Sequence, residues 1–282
     1  MTAPPASAQA PAPTQPTQRR TGLSERTKSI LFGAIGVVVL FLVAEIVSRS
    51  GIVSEFFLPP TSVVLGTTLS LLVDPQFLFA VLSTLQAWAI GLAICTIASV
   101  ALGLLLGSSD IAYTGSRTLI EFLRPIPSVA LIPVAMVMLG NGLEMKVGLI
   151  IYSAAWPILF NTIYGMHDVD PVAKLTSQSF GRGRLSTMLN VSLPSALPFI
   201  FTGIRVSASV ALIVAVSAEF FGGASEGLGR WLLEASSTGN RPDLVYAGTI
   251  ISGLLGLAIN ALLALIERRF LAWQPALRQT GN

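Results

Sequence analysis

The sequence predicts an all-α integral membrane protein of about six transmembrane helices, with a helical loop projecting into the cytoplasm. Three observations carry this. Of the 282 residues, 52% are hydrophobic and only 11% charged, against roughly 25% charged in a soluble domain; the mean hydropathy is +0.74. Uncharged runs at Phe77–Gly107, Pro125–Leu143, Val147–Met166 and Leu244–Ile266 each reach the ~18 residues a helix needs to cross a bilayer. The basic residues gather in alternate loops, which in a membrane protein reports orientation first.

Residues 1–28 open with MTAPPASAQAPAPTQPTQRR, which has almost no large apolar side chains to offset ordering entropy, and are expected to form a disordered cytoplasmic tail. The apolar run begins near Ile30, too late for a usual signal peptide. Spans are expected at 29–49, 78–107, 117–140, 145–166, 195–221 and 243–267, making 29–273 the membrane domain and 274–282 a cytoplasmic tail. Pro59 and Pro60 stop any helix after the first span. The following Thr61–Val73 has helical spacing but is too short to cross, so it should lie in the interface.

In the third span, Pro125, Pro127 and Pro133 each remove a helical hydrogen bond or clash with the preceding turn. A membrane tolerates this where neighbours or a cavity satisfy the freed carbonyls. Arg124, Pro125 and Pro127 therefore either line a pathway or shape a packing kink, and Glu121, three residues before Arg124, is expected to pair with it. Arg205 and Glu219 interrupt the fifth span. Arg205 suits either an anion contact or a structural pairing. Glu219, followed by FFGGASEGLG, is expected beside a flexible external mouth.

With six spans, one face collects Arg19, Arg20, Arg26, Lys28, Arg117, Lys174, Arg182, Arg184, Arg268, Arg269 and Arg278, eleven of the 17 basic residues. The other holds Arg49, Lys146, Arg230 and Arg241. The imbalance places both termini and the 167–194 loop in the cytoplasm of a multi-pass cell-membrane protein. The formal excess of only +3 gives no reason to invoke nucleic acid. A single cysteine, Cys95, within an apolar run reads as packing, and a single histidine, His167, excludes a metal site built from several.

The 167–194 loop exceeds an ordinary connection of about 2–8 residues. Asp170-Pro171 starts a helix, with an aspartate cap and proline at the first helical position. Gly181 and Gly183 read as stops, and Leu185, Met188, Leu189 and Ser192 then follow helical spacing until Leu193-Pro194 ends the helix at the membrane. Lys174, Arg182 and Arg184 give this pair of short helices a basic face, as a docking element needs.

Gly181, nine residues, then Val191-Ser192-Leu193-Pro194 resembles the glycine…Ile-x-Leu-Pro half of the loop that marks permease subunits of bacterial ABC importers. FLPPTSV (57–63), FLRPIPSVALIPVAMVMLG (122–140), SLPSALPFIFTGIR (192–205) and Ala218-Glu219…Gly227-Leu228-Gly229 are similar to the nitrate/sulfonate/taurine branch, from about residue 55 to 273. The family's Glu-Ala-Ala is replaced by Leu175-Thr176-Ser177, so its acidic contact is missing or supplied by Asp168 or Asp170.

The resemblance implies a transport subunit rather than an enzyme. It implies a pair of permeases in membrane lipid, most simply two identical copies, flanked by two cytosolic ATPases and served by an extracytoplasmic solute-binding protein. The chain has no G-x-x-x-x-G-K-[ST] loop, so ATP and magnesium would sit on the partner ATPase, with no cofactor here. The contrasting class is an ion-coupled secondary transporter or channel. Glu45, Glu121, Arg124, Arg205 and Glu219 are the ionisable groups available to it, each near a span end or suited to a structural role, and no internal repeat is evident.

Overall fold

The computed structural model describes residues 25–239 and 241–271, all of whose regular structure is helical. Of the tail expected over 1–28, residues 25–28 belong to the first helix, whereas 1–24 and the tail expected over 274–282 lie outside the described residues. The first helix, α1, runs from Glu25 to Arg49, α2 from Thr61 to Leu71, and α3 from Pro75 to Gly107. After these come α4 (Asp110–Leu123), a 3-10 turn (Ser128–Leu131), α5 (Ile132–Leu139) and α6 (Leu143–His167). The chain continues as α7 (Pro171–Ser179), α8 (Arg184–Thr187), a π-helical turn (Met188–Ser192), α9 (Leu193–Phe221), α10 (Leu228–Ser237) and α11 (Pro242–Phe270). Among the described residues, five helices are long and apolar enough to cross a membrane, or six if the bent pair α4/α5 counts as one span. The chain is a multi-pass membrane protein.

The core forms where α6 packs between α3 and α9. Between membrane helices, close backbone approach replaces much of the hydrophobic driving force, so small residues mark the contact. Gly91 and Gly103 of α3 lie against Ile150 and Thr162 of α6, and Gly203 of α9 lies against Pro157 and Ile158. Polar ties cross the same seams. Trp88 Nε1 donates to the Ala208 carbonyl at 2.9 Å, and Ser207 Oγ to the Ala154 carbonyl at 2.6 Å. Cys95 is fully buried here, as its apolar setting implied.

A Cβ on Gly103 would come within 2.6 Å of Thr162 Cβ. We expect Gly103→Leu to force α3 from α6 at a cost of about 1–3 kcal/mol, read as a lower melting temperature in detergent. Gly115→Leu on α4, where a Cβ meets nothing within 4 Å, should melt like wild type. Equal melting of both variants would contradict the seam.

Three ends differ from expectation. The 108–116 loop shrinks to a two-residue turn, because Ser109 caps α4 by accepting from the Ala112 N–H at 3.3 Å. The fifth span is not interrupted: α9 is continuous through Arg205 and Glu219, because other helices satisfy both side chains. Nor is 222–242 an open mouth, since it contains α10. Helix α2, too short to span, packs on α11, where Thr67 Oγ1 donates to Asp243 Oδ2 at 2.8 Å. Its N-terminus is capped from α1, the Glu45 carboxylate accepting from the Ser62 N–H at 3.0 Å.

Candidate functional site

The loop between α6 and α9 holds together as an element. Asp170 caps α7 by accepting from the Val172 N–H at 2.8 Å, with Pro171 in the first turn. At its other end the Gly181 N–H bonds the Gln178 carbonyl at 2.9 Å and the Arg182 N–H bonds Ser177 at 3.3 Å. This paired closure needs a left-handed residue at its centre, and Gly181 has φ +76°. Gly183 departs from the expected second stop. Its φ is −66° and its carbonyl accepts from the Thr187 N–H at 2.9 Å, so it starts α8. Ser177 and Thr187 hydroxyls, both buried and 3.1 Å apart, clamp α7 to α8.

Leu193-Pro194 does not end the second helix either. From Arg184 to Phe221 the chain is one helical rod of 38 residues. Proline at 194 has no N–H to give, and the π-helical turn over Met188–Ser192 absorbs the missing bond. Lys174 Nζ donates to the Met166 carbonyl at 3.1 Å and fastens α7 to the end of α6. Arg182 and Arg184 are exposed, as are Val172, Leu175, Phe180 and Leu185, so the projection presents apolar and basic groups together.

The broken span bends by 76° between α4 and the helical segment over 128–139. Pro125 and Pro127 stand in the break, whereas Pro133 is tolerated in the first turn of α5. Of the carbonyls freed by the prolines, Leu123 accepts from Tyr152 Oη of α6 at 2.7 Å. Glu121 pairs with Arg117 at 2.7 Å rather than with Arg124. The helix ends at Arg124, whose guanidinium turns onto the Phe160 ring, 4.8 Å from its centroid.

Glu219 and Arg205 lie apart from this break. Glu219 is completely buried and meets Lys146 of α6 at 3.1 Å. Lys146 Nζ uses its three hydrogens on Glu219, Ser83 Oγ at 3.1 Å and the Glu226 carbonyl at 3.2 Å. The other carboxylate oxygen accepts from the Gly229 N–H at 2.9 Å, and Thr84 Oγ1 accepts from the Leu228 N–H at 2.8 Å. The N-terminus of α10 is thus capped by α3 and α9. Gly227, at φ +132°, passes so close to the Glu219 carboxylate that a Cβ has no room. Arg205 is half exposed on α9, with Nε donating to Asn260 Oδ1 at 3.3 Å and a guanidinium nitrogen 3.6 Å from Glu267.

Sequence reasoning singled out Glu219 but missed Lys146, Thr84 and Asn260. A lysine just inside one span and a glutamate near the end of another form a balanced pair of charges, which was the available signal.

Among proteins of similar sequence, the nitrate import permease protein NrtB of Leptolyngbya laminosa is 29% identical over 70% of each chain. The taurine transport system permease protein TauC of Escherichia coli is 27% identical over 84% of this chain and 87% of its own. A solved inward-facing MetNI methionine ABC transporter chain superposes with a TM-score of 0.60 at 17% identity, over 70% of this chain and 98% of that one, a likeness of fold. The model of the binding-protein-dependent transport system inner membrane component family matches residues 99–272, well over half of the sequence, and the chain belongs to that family.

Proposed function

We propose that the chain is the permease subunit of an ATP-driven importer and forms the route for a small anion, a sulfonate, taurine or nitrate-like solute, handed over by an external binding protein. The similarity to a nitrate import permease and a taurine transport permease supports the solute class. The observation that carries the coupling role is the rod from Arg184 to Phe221, rooted in the α7–Gly181–α8 projection. A displacement of α7 by a partner passes through the Ser177–Thr187 clamp into α8, and from there runs along continuous helix to α9. Asp170, Lys174, Gly181, Arg182, Gly183, Arg184, Leu193 and Pro194 build that lever, and Arg124, Pro125, Pro127, Arg205 and Glu219 belong to the route and its gates.

ATP and magnesium belong on a pair of cytosolic ATPases, and this chain binds no cofactor. A second copy of the chain completes the permease within the lipid. Contacts that differ between ATP-bound and free ATPase bias the spans between outward- and inward-facing forms. Co-expressed with its ATPase, the permease should retain that partner through detergent extraction, and solute-loaded binding protein should raise ATP hydrolysis. Loss of the ATPase on extraction, with no stimulation, would contradict this function.

The orientation has its own test. Cysteine replacing the exposed Ser236 of α10, in a Cys95→Ala background, should react with an impermeant thiol reagent applied to intact cells. Cysteine replacing Ser179 of α7 should react only after permeabilisation. The reverse pattern would place the termini outside.

A further inference from the structure

Helices α9 and α11 leave a recess of about 420 Å³ between them. Its lining is polar at Thr202, Arg205, Ser209 and Asn260 and apolar along Val206, Val210 and Ile213 of α9. Asn260 joins the polar groups, accepting from Arg205 Nε at 3.3 Å and donating to Ser209 Oγ at 3.2 Å. Glu267 approaches Arg205 through one nitrogen only, at 3.6 Å, well outside the roughly 2.7–2.9 Å of a strong charge-assisted bond. Much of the five-hydrogen guanidinium fork is therefore uncommitted, and the side chain is 49% exposed. An arginine within a span faces protein or a water-filled route rather than lipid. Ser209 accepts from Asn260 and still carries a hydroxyl hydrogen to donate.

Building on the permease function, we infer that this recess is a solute subsite for an organic anion, a sulfonate or carboxylate with a short apolar body. Arg205 takes the charged head as a fork, with Ser209 as a second donor, and the body lies along Val206, Val210 and Ile213. A bare four-atom oxyanion displaces on the order of two waters, each with a share of about 30 Å³. It would leave most of the recess and its whole apolar lining unused. Glu267 serves as the resting partner that the anion displaces, so Arg205 is not left unpaired when the subsite is empty.

An anionic head on an apolar body also describes an anionic lipid, and the two sources separate experimentally. The permease–ATPase complex is placed in phosphatidylcholine nanodiscs without binding protein, and radiolabelled pentanesulfonate binding is measured. Saturable binding is expected, displaced by unlabelled pentanesulfonate but not by nitrate at the same concentration. Arg205→Gln should weaken it at least tenfold and Arg205→Lys less, since lysine keeps the charge without the fork. Val210→Trp, which fills the space along the apolar lining and leaves Arg205 in place, should also abolish it. Wild-type melting temperatures in these variants exclude misfolding as the cause.

Equal displacement by nitrate would overturn the organic-anion assignment, and binding unchanged in both Arg205→Gln and Val210→Trp would overturn the site. If adding phosphatidylglycerol to the nanodiscs expels the sulfonate while transport in that lipid continues, the recess holds lipid and is off the solute's route. None of these readings uses ATP. Failure of the subsite therefore leaves ATP-driven transport standing, and failure of the permease function shows separately as loss of ATP-dependent uptake.

Discussion

Gly181→Trp is expected to abolish stimulation of ATP hydrolysis by solute-loaded binding protein while the spans remain inserted. The turn at Gly181 sits at φ +76°, and a Cβ placed there meets nothing within 4 Å in the isolated chain. The backbone penalty for a non-glycine residue is about 1–2 kcal/mol, too little to unfold a loop held by the Asp170 cap and the Ser177–Thr187 clamp. A large effect must then come from the partner surface into which the indole projects. Substitutions of graded size separate the two causes. Gly181→Asn, which tolerates the left-handed turn, should couple almost normally, Gly181→Ala should lose a little, and Gly181→Trp should lose more than tenfold. Arg182→Ala and Arg184→Ala should each do less, because a single exposed charge contributes under ~1 kcal/mol. Normal ATPase recovery and normal stimulation in Gly181→Trp would reduce the projection to a long connector.

The second large effect is expected where α10 is anchored. Lys146→Met removes one half of a buried pair and leaves Glu219, which is fully buried, without its counter-charge. Breaking such a pair costs about 3–5 kcal/mol. The loss should appear as a clear fall in melting temperature and as uptake reduced more than tenfold at equal expression. Glu219→Ala should fall similarly, because the Gly229 N–H and Lys146 both lose their acceptor. The double variant Lys146→Met/Glu219→Gln carries no buried charge and should recover part of the lost stability. That non-additivity is the signature of a direct pair. A Lys146→Met protein that melts and transports like wild type would show that the pair does not hold α10. Glu219→Gln transporting at the wild-type rate would leave the carboxylate as no more than a helix-end marker.

Much of this architecture was legible in residue order. Span centres follow from the length of uncharged runs, and the α7 start from Asp170-Pro171, because both depend on neighbours in sequence. The left-handed turn was legible at Gly181 for the same reason, but Gly183, two residues on, begins a helix instead of ending one. Where a partner from another helix decides the outcome, sequence reasoning failed. FFGGASEGLG looks flexible until Thr84 and Glu219 cap the first turn of α10 from 144 and 10 residues away. Arg124 looks destined for Glu121 until the proline break swings it onto Phe160. Leu193-Pro194 looks like a stop because α-helical bonding was assumed, and a π-helical turn removes the conflict. Arg205 stood between two roles from the outset, and the geometry at Asn260 and Glu267 is compatible with both a resting partner and an open fork.

Coupling to ATP, rather than to an ion gradient, is tested most directly by reconstitution. The permease and its ATPase are placed in liposomes with solute-loaded binding protein on the extracytoplasmic side, and uptake of labelled solute is followed under two drives. With ATP and magnesium enclosed and no ion gradient, solute should accumulate, and Gly181→Trp should not accumulate it. With a proton or sodium gradient and no ATP, uptake should stay at the level of empty liposomes. Accumulation driven by the gradient alone, unaffected by ATP or by Gly181→Trp, would make the chain a secondary transporter and contradict its assignment as the ATPase-driven permease.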